Sequence, residues 1–360
     1  MIKPAQSADA PDIERRGRKD DCRRELAARI AADIRSGKLS GKLPGVTRLA
    51  VTYGACPATV QRALQRLAKE ELVEIRPCSG TYVRLQLEVD FVNFYLRDIQ
   101  PHNMPDALDN MLANYGQLFQ GLYDTLKPAG VPLSFQTLEL GNRELLRRWN
   151  HRNRHLVAVL PAGQESLCYD LFAECRWTRV MGVQDYNCPT THITYDNARI
   201  GEIAARALRE RGCRRFVFIG SGTHPLFRQR LETFRSALAL YGLSSDHIDV
   251  DVFRMGSAEI IRKLRMFAEE NAVGLGAREI GLFCCADAFL AMLHQAMTPV
   301  VDPAAVQIIS CDNNPYFLKG IFPVPREIDI CTYEIGVAAA RHILAASDAA
   351  EKTALIPRLV

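Results

Sequence analysis

The 360-residue sequence lacks the features that define several large classes of protein. No apolar run approaches the roughly 18 residues of a membrane-spanning helix, and the polar start, residues 1–19, holds no apolar stretch that could act as a secretory signal. The catalytic patterns G-x-S-x-G, P-loop and G-x-G-x-x-G are also missing. We therefore expect a cytoplasmic protein that does not span a membrane and that lacks the sites of these enzyme classes.

Disulfide and metal patterns are missing as well. The 11 cysteines include no C-x-x-C pair and their number is odd, so we interpret them as small buried hydrophobes in a reducing compartment. His151 and His155 have i, i+4 spacing, but no nearby carboxylate or thiolate completes a zinc site, which favours a surface pair. We predict no metal and no cofactor.

The composition fits a folded chain with more than one domain. With 48% hydrophobic and 24% charged residues, the chain is too long for one ordinary core and predicts two or three packed units. Its net charge of +4 is unevenly spread, because residues 1–84 contain 17 Lys and Arg against 10 Asp and Glu, and the remainder is slightly acidic. A basic module joined to a larger acidic one indicates a polyanion partner for the first.

Residues 21–84 predict three helices followed by a two-stranded hairpin. Thr47 is expected to cap the second helix, Gly54 to end it and Pro57 to begin the third. The alternating, turn-containing stretch 73–83 predicts the hairpin. The apolar positions of the first and third helices recur at helical spacing: Leu26, Ile30, Ile34, Val60, Ala63, Leu64 and Leu67. This order of elements is that of a winged helix-turn-helix.

The third helix of a helix-turn-helix lies in the major groove of DNA, with its first turns nearest the bases. With the apolar face turned inward, the outward residues are Ala58, Thr59, Gln61, Arg62, Gln65 and Arg66. We predict that these residues contact DNA together with Arg48 and the hairpin residues Ser79, Gly80 and Thr81. Arg76 and Arg84, at the ends of the hairpin, are placed to hold phosphates. For any one of these charges, a solvated helix face is the simpler interpretation.

The stretch Leu43–Val83 resembles the gluconate-repressor (GntR) family of bacterial transcription regulators. The matching positions are Leu43-Pro44, Leu49-Ala50, Tyr53-Gly54, Thr59-Val60, Ala63-Leu64, Leu67 and Gly80-Thr81-Tyr82-Val83. The chain departs from the family pattern at Gly45, Thr47, Cys56-Pro57, Gln61 and Cys78. These departures leave fewer cations for the DNA backbone, so we expect an operator unlike that of typical members, with Gln61 and Arg62 carrying more of the base preference.

From Val89 onward, strand-like runs alternate with helical ones, which predicts an α/β fold with parallel sheets. The helix after Asn197 has the clearest apolar stripe. About 270 residues could form one large sheet or two smaller lobes, and the length favours two. The candidate strands are 89–95, 133–138, 156–160, 179–183, 215–219, 248–253, 280–285 and 306–311.

Four polar residues lie where such a fold can bind a ligand. Asp312 directly follows a candidate strand, where its carboxylate can accept hydrogen bonds from sugar hydroxyls or cap an Asx-turn. Arg230 lies near the start of a helix and opposes the macrodipole, so either a ligand oxygen or Asp312 should compensate, unless the guanidinium is exposed and hydrated. Asp196 and Asp287 are interpreted first as helix N-caps.

The segments between residues 193 and 344 resemble the effector domain of the lactose-repressor (LacI/GalR) family, which is similar to periplasmic sugar-binding proteins. The match over 89–187 is weaker. The resemblance implies a two-lobed effector-binding and dimerisation domain over residues 89–360. It departs from the family at Thr233, which replaces a Gly, and at Ala286, which replaces an Asn. The implied effector-binding residues are Arg230, Asp312, Asp287 and Asp196.

The sequence as a whole predicts four segments. Residues 1–20 form a disordered arm, 21–84 the winged helix-turn-helix, 85–88 a linker and 89–360 the effector domain. The expected function is a bacterial DNA-binding transcription regulator, a repressor, whose operator affinity changes when a small effector, a sugar, binds. We expect it to act as a homodimer, because two reading helices on a two-fold axis match a palindromic operator.

Two alternatives remain at this stage. One is a GntR-type module fused to a catalytic, aminotransferase-like α/β domain that uses a lysine Schiff base. The other is a secreted solute-binding protein, which would need a signal peptide and would have no hairpin of this kind.

Overall fold

The chain folds into two compact units in a computed structural model, one from residues 1–88 with 151–154 and one from residues 89–150 with 155–360. The predicted arm 1–20, residues 85 and 86 of the predicted linker, and His151 lie outside the described residues. The structure describes residues 23–34, 38–39, 41–70, 72–84, 87–95, 107–139, 154–163, 165–173, 175–252, 254–345 and 350–360.

The first unit has the predicted order of three helices and a hairpin. In the hairpin, Val73 pairs with Val83 and Arg76 with Gly80 in an antiparallel register. The elements are helices α1 (23–34), α2 (Val46–Tyr53) and α3 (Pro57–Lys69) and strands β1 (Val73–Arg76) and β2 (Gly80–Val83). All seven predicted apolar positions are buried in one core with Leu49, Ala50 and Tyr53.

The two ends of α2 show one confirmed prediction and one wrong one. Gly54 ends the helix in the left-handed region, at φ +64°, as the glycine predicts. Thr47 does not cap the helix, because the helix begins at Val46 and Gly45 is the N-cap. The carbonyl of Gly45 accepts from the amides of Arg48 and Leu49, and no side chain caps this end.

The second unit contains two six-stranded sheets, which confirms the α/β class and the two lobes. The first sheet has the order β13-β7-β6-β5-β3-β4 and the second the order β14-β12-β11-β10-β8-β9. Every strand pair with a described register is parallel except β12 with β14. The first sheet consists of β3 (Glu88–Tyr95), β4 (Leu133–Glu139), β5 (Arg154–Val159), β6 (Trp177–Val180), β7 (Thr191–Tyr195) and β13 (Lys352–Leu355). The second consists of β8 (Arg215–Gly220), β9 (Ser245–Asp249), β10 (Ile280–Cys284), β11 (Gln307–Asp312), β12 (Arg326–Asp329) and β14 (Arg358–Leu359).

The sequence placed some strands wrongly and missed others. The strands expected at 179–183 and 248–253 lie a few residues earlier, as β6 and β9. Strands β7, β12, β13 and β14 and the long helix α4 (Ala107–Leu126) were not predicted. The other helices of the unit are α5 (Glu165–Leu171), α6 (Asn197–Glu210), α7 (Pro225–Ala239), α8 (Ser257–Glu270), α9 (Ala272–Gly276), α10 (Asp287–Met297), α11 (Pro315–Leu318) and α12 (Thr332–Leu344), with 3-10 turns at Lys127–Ala129 and Pro303–Ala305.

The chain passes between the two lobes at three places, and hydrogen bonds connect these crossings. It leaves the first sheet after β7, returns after β12 and leaves again after β13. The return follows β12 directly, since α12 already packs on α4 and on the first sheet. The amide of Asp196 donates to the carbonyl of Leu355, and the thiol of Cys331 contacts the carbonyl of Ile356 at 3.6 Å. The three crossings therefore form one connected joint between the lobes.

Helix α6 packs closely on α7 because Gly201 has no side chain. A Cβ at this position would lie 2.4 Å from the amide nitrogen of Phe234 and 2.5 Å from the carbonyl oxygen of Arg230. The apolar stripe of α6 faces the same interior, and the predicted residues Ile200, Ile203, Ala204, Ala207 and Leu208 are all buried. Among the described residues, no helix is long and apolar enough to cross a membrane.

Replacing Gly201 with alanine should lower the free energy of unfolding by about 1–3 kcal/mol, because the backbone of α7 has to move to admit the methyl group. The measurement is chemical denaturation followed by circular dichroism. Gly276→Ala is the matched control, since its Cβ would meet only Val301, at 3.8 Å. Equal losses in the two variants would contradict the close approach.

Candidate nucleic-acid interface and ligand site

Helix α3 presents one polar face to solvent, as its apolar positions predict. Val60, Ala63, Leu64 and Leu67 are buried, which turns the opposite side outward. Of the predicted DNA contacts on this helix, Ala58, Gln61, Arg62, Gln65 and Arg66 are exposed, and Thr59 is half-buried. The structure therefore brings these six residues onto the same side of one helix.

Two residues at this face already have partners within the protein. The Arg66 guanidinium pairs with Glu70 at 2.9 Å in an exposed i, i+4 bridge, which a phosphate can replace at little cost. Thr59 Oγ1 lies 3.0 Å from the thiol of Cys56, the N-cap residue of α3. Arg48, on α2, is exposed as well. The side chains at the start of α3 are thus those of Cys56, Pro57, Ala58 and Thr59.

The hairpin holds a cluster of two cations around one aromatic ring. Arg76 lies 4.5 Å and Lys42 5.8 Å from the centre of the Tyr82 ring, and the Tyr82 hydroxyl is 2.9 Å from Ser79 Oγ. Gly80, at φ +119°, leaves room for the Lys42 stem, because a Cβ there would lie 3.0 Å from Lys42 Cε. Sequence reasoning did not single out Lys42 as a contact. Its signal was a lysine directly before the Leu43-Pro44 break.

Arg230 is an almost fully buried cation of the second unit. Its side chain is 2% exposed, and its nitrogens donate to Asn197 Oδ1 at 2.8 Å, to the hydroxyl of Tyr195 at 3.0 Å and to the carbonyl of Cys285. It also donates to Asp312 Oδ1 at 3.3 Å. The expectation that Asp312 compensates this cation is confirmed, and the alternative of an exposed, hydrated arginine is wrong.

The partners of Arg230 come from the carboxyl ends of strands in both sheets. Tyr195 is the last residue of β7, Asp312 is the last residue of β11 and Cys285 directly follows β10. Because parallel strands present their carboxyl ends at one edge, this edge is where a parallel α/β sheet binds ligands. The Arg230 cluster therefore lies at the carboxyl-end edge of the strands in each lobe, which makes it the candidate ligand site.

Asp312 has an unusual backbone conformation and a shifted pKa. Its backbone has φ +115°, a region that residues with a side chain rarely adopt, and Asn313 follows at φ +51°. Burial raises the pKa of the Asp312 carboxyl to about 7, although the Arg230 guanidinium opposes the rise. Its side chain is still 25% exposed. The carboxyl thus combines a strained backbone, a perturbed pKa and access to solvent, which is typical of a functional site.

Helix α4 approaches the same segment from the first lobe. Gln117 Nε2 donates to the carbonyl of Asn313 at 3.4 Å. The pKa of the Tyr115 hydroxyl is raised to about 12 by burial and by the nearby Asp312 carboxylate. Sequence reasoning missed both residues because it did not predict α4. It also missed Tyr195 and Asn197, the two neighbours of the chosen Asp196.

Asp287 and Asp196 have different structural roles. Asp196 caps α6, since its carboxylate accepts from the amide of Arg199, and this prediction is confirmed. Asp287 does not cap α10, because Ala286 is the N-cap residue and Asp287 is already helical. Instead its fully buried carboxylate accepts from Ser310 Oγ at 2.5 Å and from the amide of Asn314 at 2.8 Å.

The histidine and cysteine interpretations need correction. His155 is not part of a surface pair: it is buried, lies 2.8 Å from Thr178 Oγ1, and its pKa is lowered to about 3 by burial. Cys56 and Cys78 are exposed, whereas the other described cysteines are buried or half-buried. Across the described residues, no group of three His, Cys, Asp or Glu side chains is arranged to hold a metal ion.

The two units thus define a class of protein: a winged helix with an outward polar reading face, and a two-lobed α/β unit with a polar cluster at its strand ends. Residues 23–83 match the family model described as bacterial regulatory proteins, gntR family. Residues 187–360 match the model described as a periplasmic binding protein-like domain. The chain therefore joins a GntR-type helix-turn-helix domain to a periplasmic-binding-protein-like domain, as the sequence predicts.

Solved structures of LacI-type regulators share the fold of the second unit. A LacI family transcriptional regulator from Enterococcus faecium with bound ribose is 16% identical, with a TM-score of 0.57 over 76% of this chain and 96% of that one. The transcriptional regulator CelR in complex with cellobiose is 15% identical, with a TM-score of 0.55 over 86% and 93%. A periplasmic binding protein/LacI transcriptional regulator from Alkaliphilus metalliredigens QYMF, complexed with D-xylulofuranose, is 17% identical, with a TM-score of 0.54 over 76% and 97%. No curated protein shows significant similarity to the chain.

Thiol reagents should label Cys56 before any buried cysteine in the native protein. Hydrogen bonds from the Thr59 hydroxyl and amide lower the pKa of this exposed thiol, whereas burial raises the pKa of Cys284, Cys285 and Cys311. The labelling rate should rise with pH as the Cys56 thiolate forms. Mass spectrometry after brief alkylation measures the order, and Cys56→Ser should remove the fastest site. Comparable native labelling of Cys285 would contradict the assignment.

Proposed function

We propose that this chain is a ligand-responsive transcription regulator, a repressor, in which the winged helix binds operator DNA and the two-lobed unit binds a small effector. The proposed bounds are 21–84 for the DNA-binding domain and 89–360 for the effector and dimerisation domain, joined by 85–88. The observation that carries the proposal is the presence, in one chain, of the outward polar face of α3 and of the Arg230 cluster at the strand ends.

The DNA side of the proposal follows from the chemistry of the exposed face. Gln61 and Gln65 can pair with adenine, Arg62 and Arg66 with guanine or phosphate, and Ala58 and Thr59 can contact a thymine methyl group. Arg48 and the hairpin residues Ser79, Gly80 and Thr81 would contact the backbone, and Lys42 and Arg76 add two cations beside them. These contacts make binding dependent on salt.

The effector side favours an uncharged polyhydroxy compound. Arg230 already pairs with Asp312 at 3.3 Å, and burial together with Arg230 lowers the pKa of the nearby His224 to about 4, so this histidine is neutral at physiological pH. The exposed part of Asp312 can accept hydrogen bonds from sugar hydroxyls, and Tyr115 offers an aromatic ring. Asp287 and Asp196 would act indirectly, by holding the segments that carry Asn314 and Asn197.

The solved relatives support a carbohydrate as the effector. Cellobiose, ribose and D-xylulofuranose are uncharged, and each is bound by a structure that shares the fold of the second unit. A sugar between the lobes would stabilise one lobe arrangement over the other through the joint of three crossings. The coupling to DNA is limited to the sugar's differential affinity for the two arrangements, about 1–3 kcal/mol or a 5- to 150-fold change in operator affinity.

A homodimer in the bacterial cytoplasm completes the proposal. Two reading helices related by a two-fold axis would match a palindromic operator and multiply weak half-site affinities. The alternative of an aminotransferase-like catalytic domain is not supported, because the second unit has the periplasmic-binding-protein fold.

Gln61→Ala and Arg62→Ala should each weaken operator binding by about 1–3 kcal/mol and relax the base preference at the contacted position. The measurement is fluorescence anisotropy with promoter fragments from beside the gene, repeated over a series of salt concentrations. Log affinity should fall steeply and linearly with log salt. Arg262→Ala, on the exposed face of α8, is the charge-matched control. Unchanged affinity and preference in both α3 variants would remove these residues from the interface.

Asp312→Asn and Arg230→Ala should abolish the effect of sugar on DNA binding and leave operator binding in sugar-free buffer. A thermal-shift screen of mono- and disaccharides first identifies a ligand, because a compound that binds the native state raises the melting temperature. Asp246→Asn is the control, an exposed carboxylate on the edge strand β9. Sugar phosphates and sugar acids should bind no more tightly than the neutral sugar. Wild-type sugar affinity in both variants would place the effector elsewhere.

A further inference from the structure

Glu327 is a buried acid without a donor. It lies in the middle of β12, is 3% exposed, and pairs in register with Ser310 of β11. Neither carboxylate oxygen accepts a hydrogen bond from any donor among the described residues. A buried, unpaired carboxylate is among the costliest groups a protein can contain, so an ionised Glu327 is not a stable arrangement.

Asp287 offers the acceptor that a protonated Glu327 needs. The fully buried Asp287 carboxylate accepts from the hydroxyl of Ser310, the residue that pairs in register with Glu327, and from the amide of Asn314. This arrangement brings the Asp287 and Glu327 carboxyl groups next to each other. The other titratable groups that face Glu327 are Asp312 and the thiols of Cys284 and Cys311. None of them supplies a positive charge, and the nearby Arg230 pairs directly with Asp312.

We propose that Glu327 is a protonated carboxylic acid in the folded protein, donates its proton to Asp287, and so acts as a positioning residue for the effector site. The positioning role rests on the proposed function, whereas the protonation does not. Burial and the Asp287 carboxylate raise the pKa of Glu327 to about 10, which agrees with this geometry.

The pair reaches the effector site through the backbone. Asp287 accepts from the amide of Asn314, and the two preceding residues, Asp312 and Asn313, are both at positive φ. Such backbone conformations persist only where the surroundings hold them. Glu327 would keep Asp287 oriented toward Asn314 and thereby keep the Asp312 carboxyl in place beside Arg230.

A proton that only the folded chain retains makes the stability of the fold decrease as pH rises. The ordinary pKa of Glu327 is 4.5 and its value in the folded protein is about 10, so the folded chain keeps a proton that the unfolded chain releases. The bound proton stabilises the folded chain in full below pH 4.5, and this stabilisation is lost as pH rises toward about 10. The folding equilibrium constant should fall by up to tenfold per pH unit across this window, relative to a variant that cannot ionise.

The first experiment compares the wild type with Glu327→Gln, which is neutral at every pH. Denaturant unfolding between about pH 6 and about pH 9 should show the wild type losing stability relative to the variant as pH rises. Glu269→Gln, an exposed glutamate on α8, controls for the change in net charge and should follow the wild type. Parallel pH profiles for the wild type and Glu327→Gln would overturn the proposed protonation.

Two further measurements separate the proton from the positioning role. The infrared carbonyl band of a protonated carboxylic acid should persist at about pH 9 in the wild type, above the range in which Asp312 titrates, and should be absent there in Glu327→Gln. Its absence from the wild type at that pH would overturn the proposal. Amide hydrogen exchange at residues 312–314 should be faster in Glu327→Ala than in Glu327→Gln, because only the amide side chain can still donate to Asp287. Equal exchange rates would reject the positioning role.

Sugar binding then tests the connection to the effector. With ribose, xylulose and cellobiose as probes in calorimetry, Glu327→Gln should retain the wild-type affinity and Glu327→Ala should lose it at least tenfold. If no carbohydrate binds the wild type, the proposed function fails, while the pH profile, the infrared band and the exchange rates still decide the role of Glu327. Equal affinity in both variants would separate Glu327 from the effector site.

Discussion

The arrangement of the strand ends in the second unit depends on the buried guanidinium of Arg230. A guanidinium that is almost fully removed from water is tolerated only when charge and hydrogen bonds compensate it. Here compensation comes from Asp312, Tyr195, Asn197 and the carbonyl of Cys285, which belong to segments at the ends of strands in both sheets. One buried cation thereby fixes the relative positions of the residues that a ligand between the lobes would meet.

The same edge concentrates acid groups around a single cation. Asp312 pairs with Arg230, while Asp287, which accepts from Ser310 and Asn314, and the buried Glu327 lie nearby without a direct ion pair to any cation among the described residues. Three carboxyl groups and one guanidinium cannot all be charged at low cost where water is largely excluded, so the cluster is most stable when one carboxyl holds a proton. The charge of the cluster therefore depends on pH.

The sequence predicted the features that residues close together in the chain determine. These features are the apolar stripes of α1, α3 and α6, the left-handed Gly54 and the start of α3 at Pro57. The position of Arg230 near a helix start likewise predicted that it needs a partner. Helix α4 was missed because its glycines weaken the helical pattern, although Gly121 is required where α4 meets the carbonyl of Tyr333. Strands β13 and β14 pair with strands far away in the sequence, and Glu327 differs from a surface glutamate only by its tertiary surroundings.

The close approach of α6 and α7 limits which side chains the two helices can carry where they meet. Position 233, where the resembling family has glycine, is Thr233 here, and a Cβ on the facing Gly201 would clash with its hydroxyl. That hydroxyl donates to the carbonyls of Gln229 and Arg230 on its own helix, so it needs no partner across the contact. The missing side chain on α6 thus leaves room for a side chain on α7, and a larger residue at position 201 would require a smaller one at position 233.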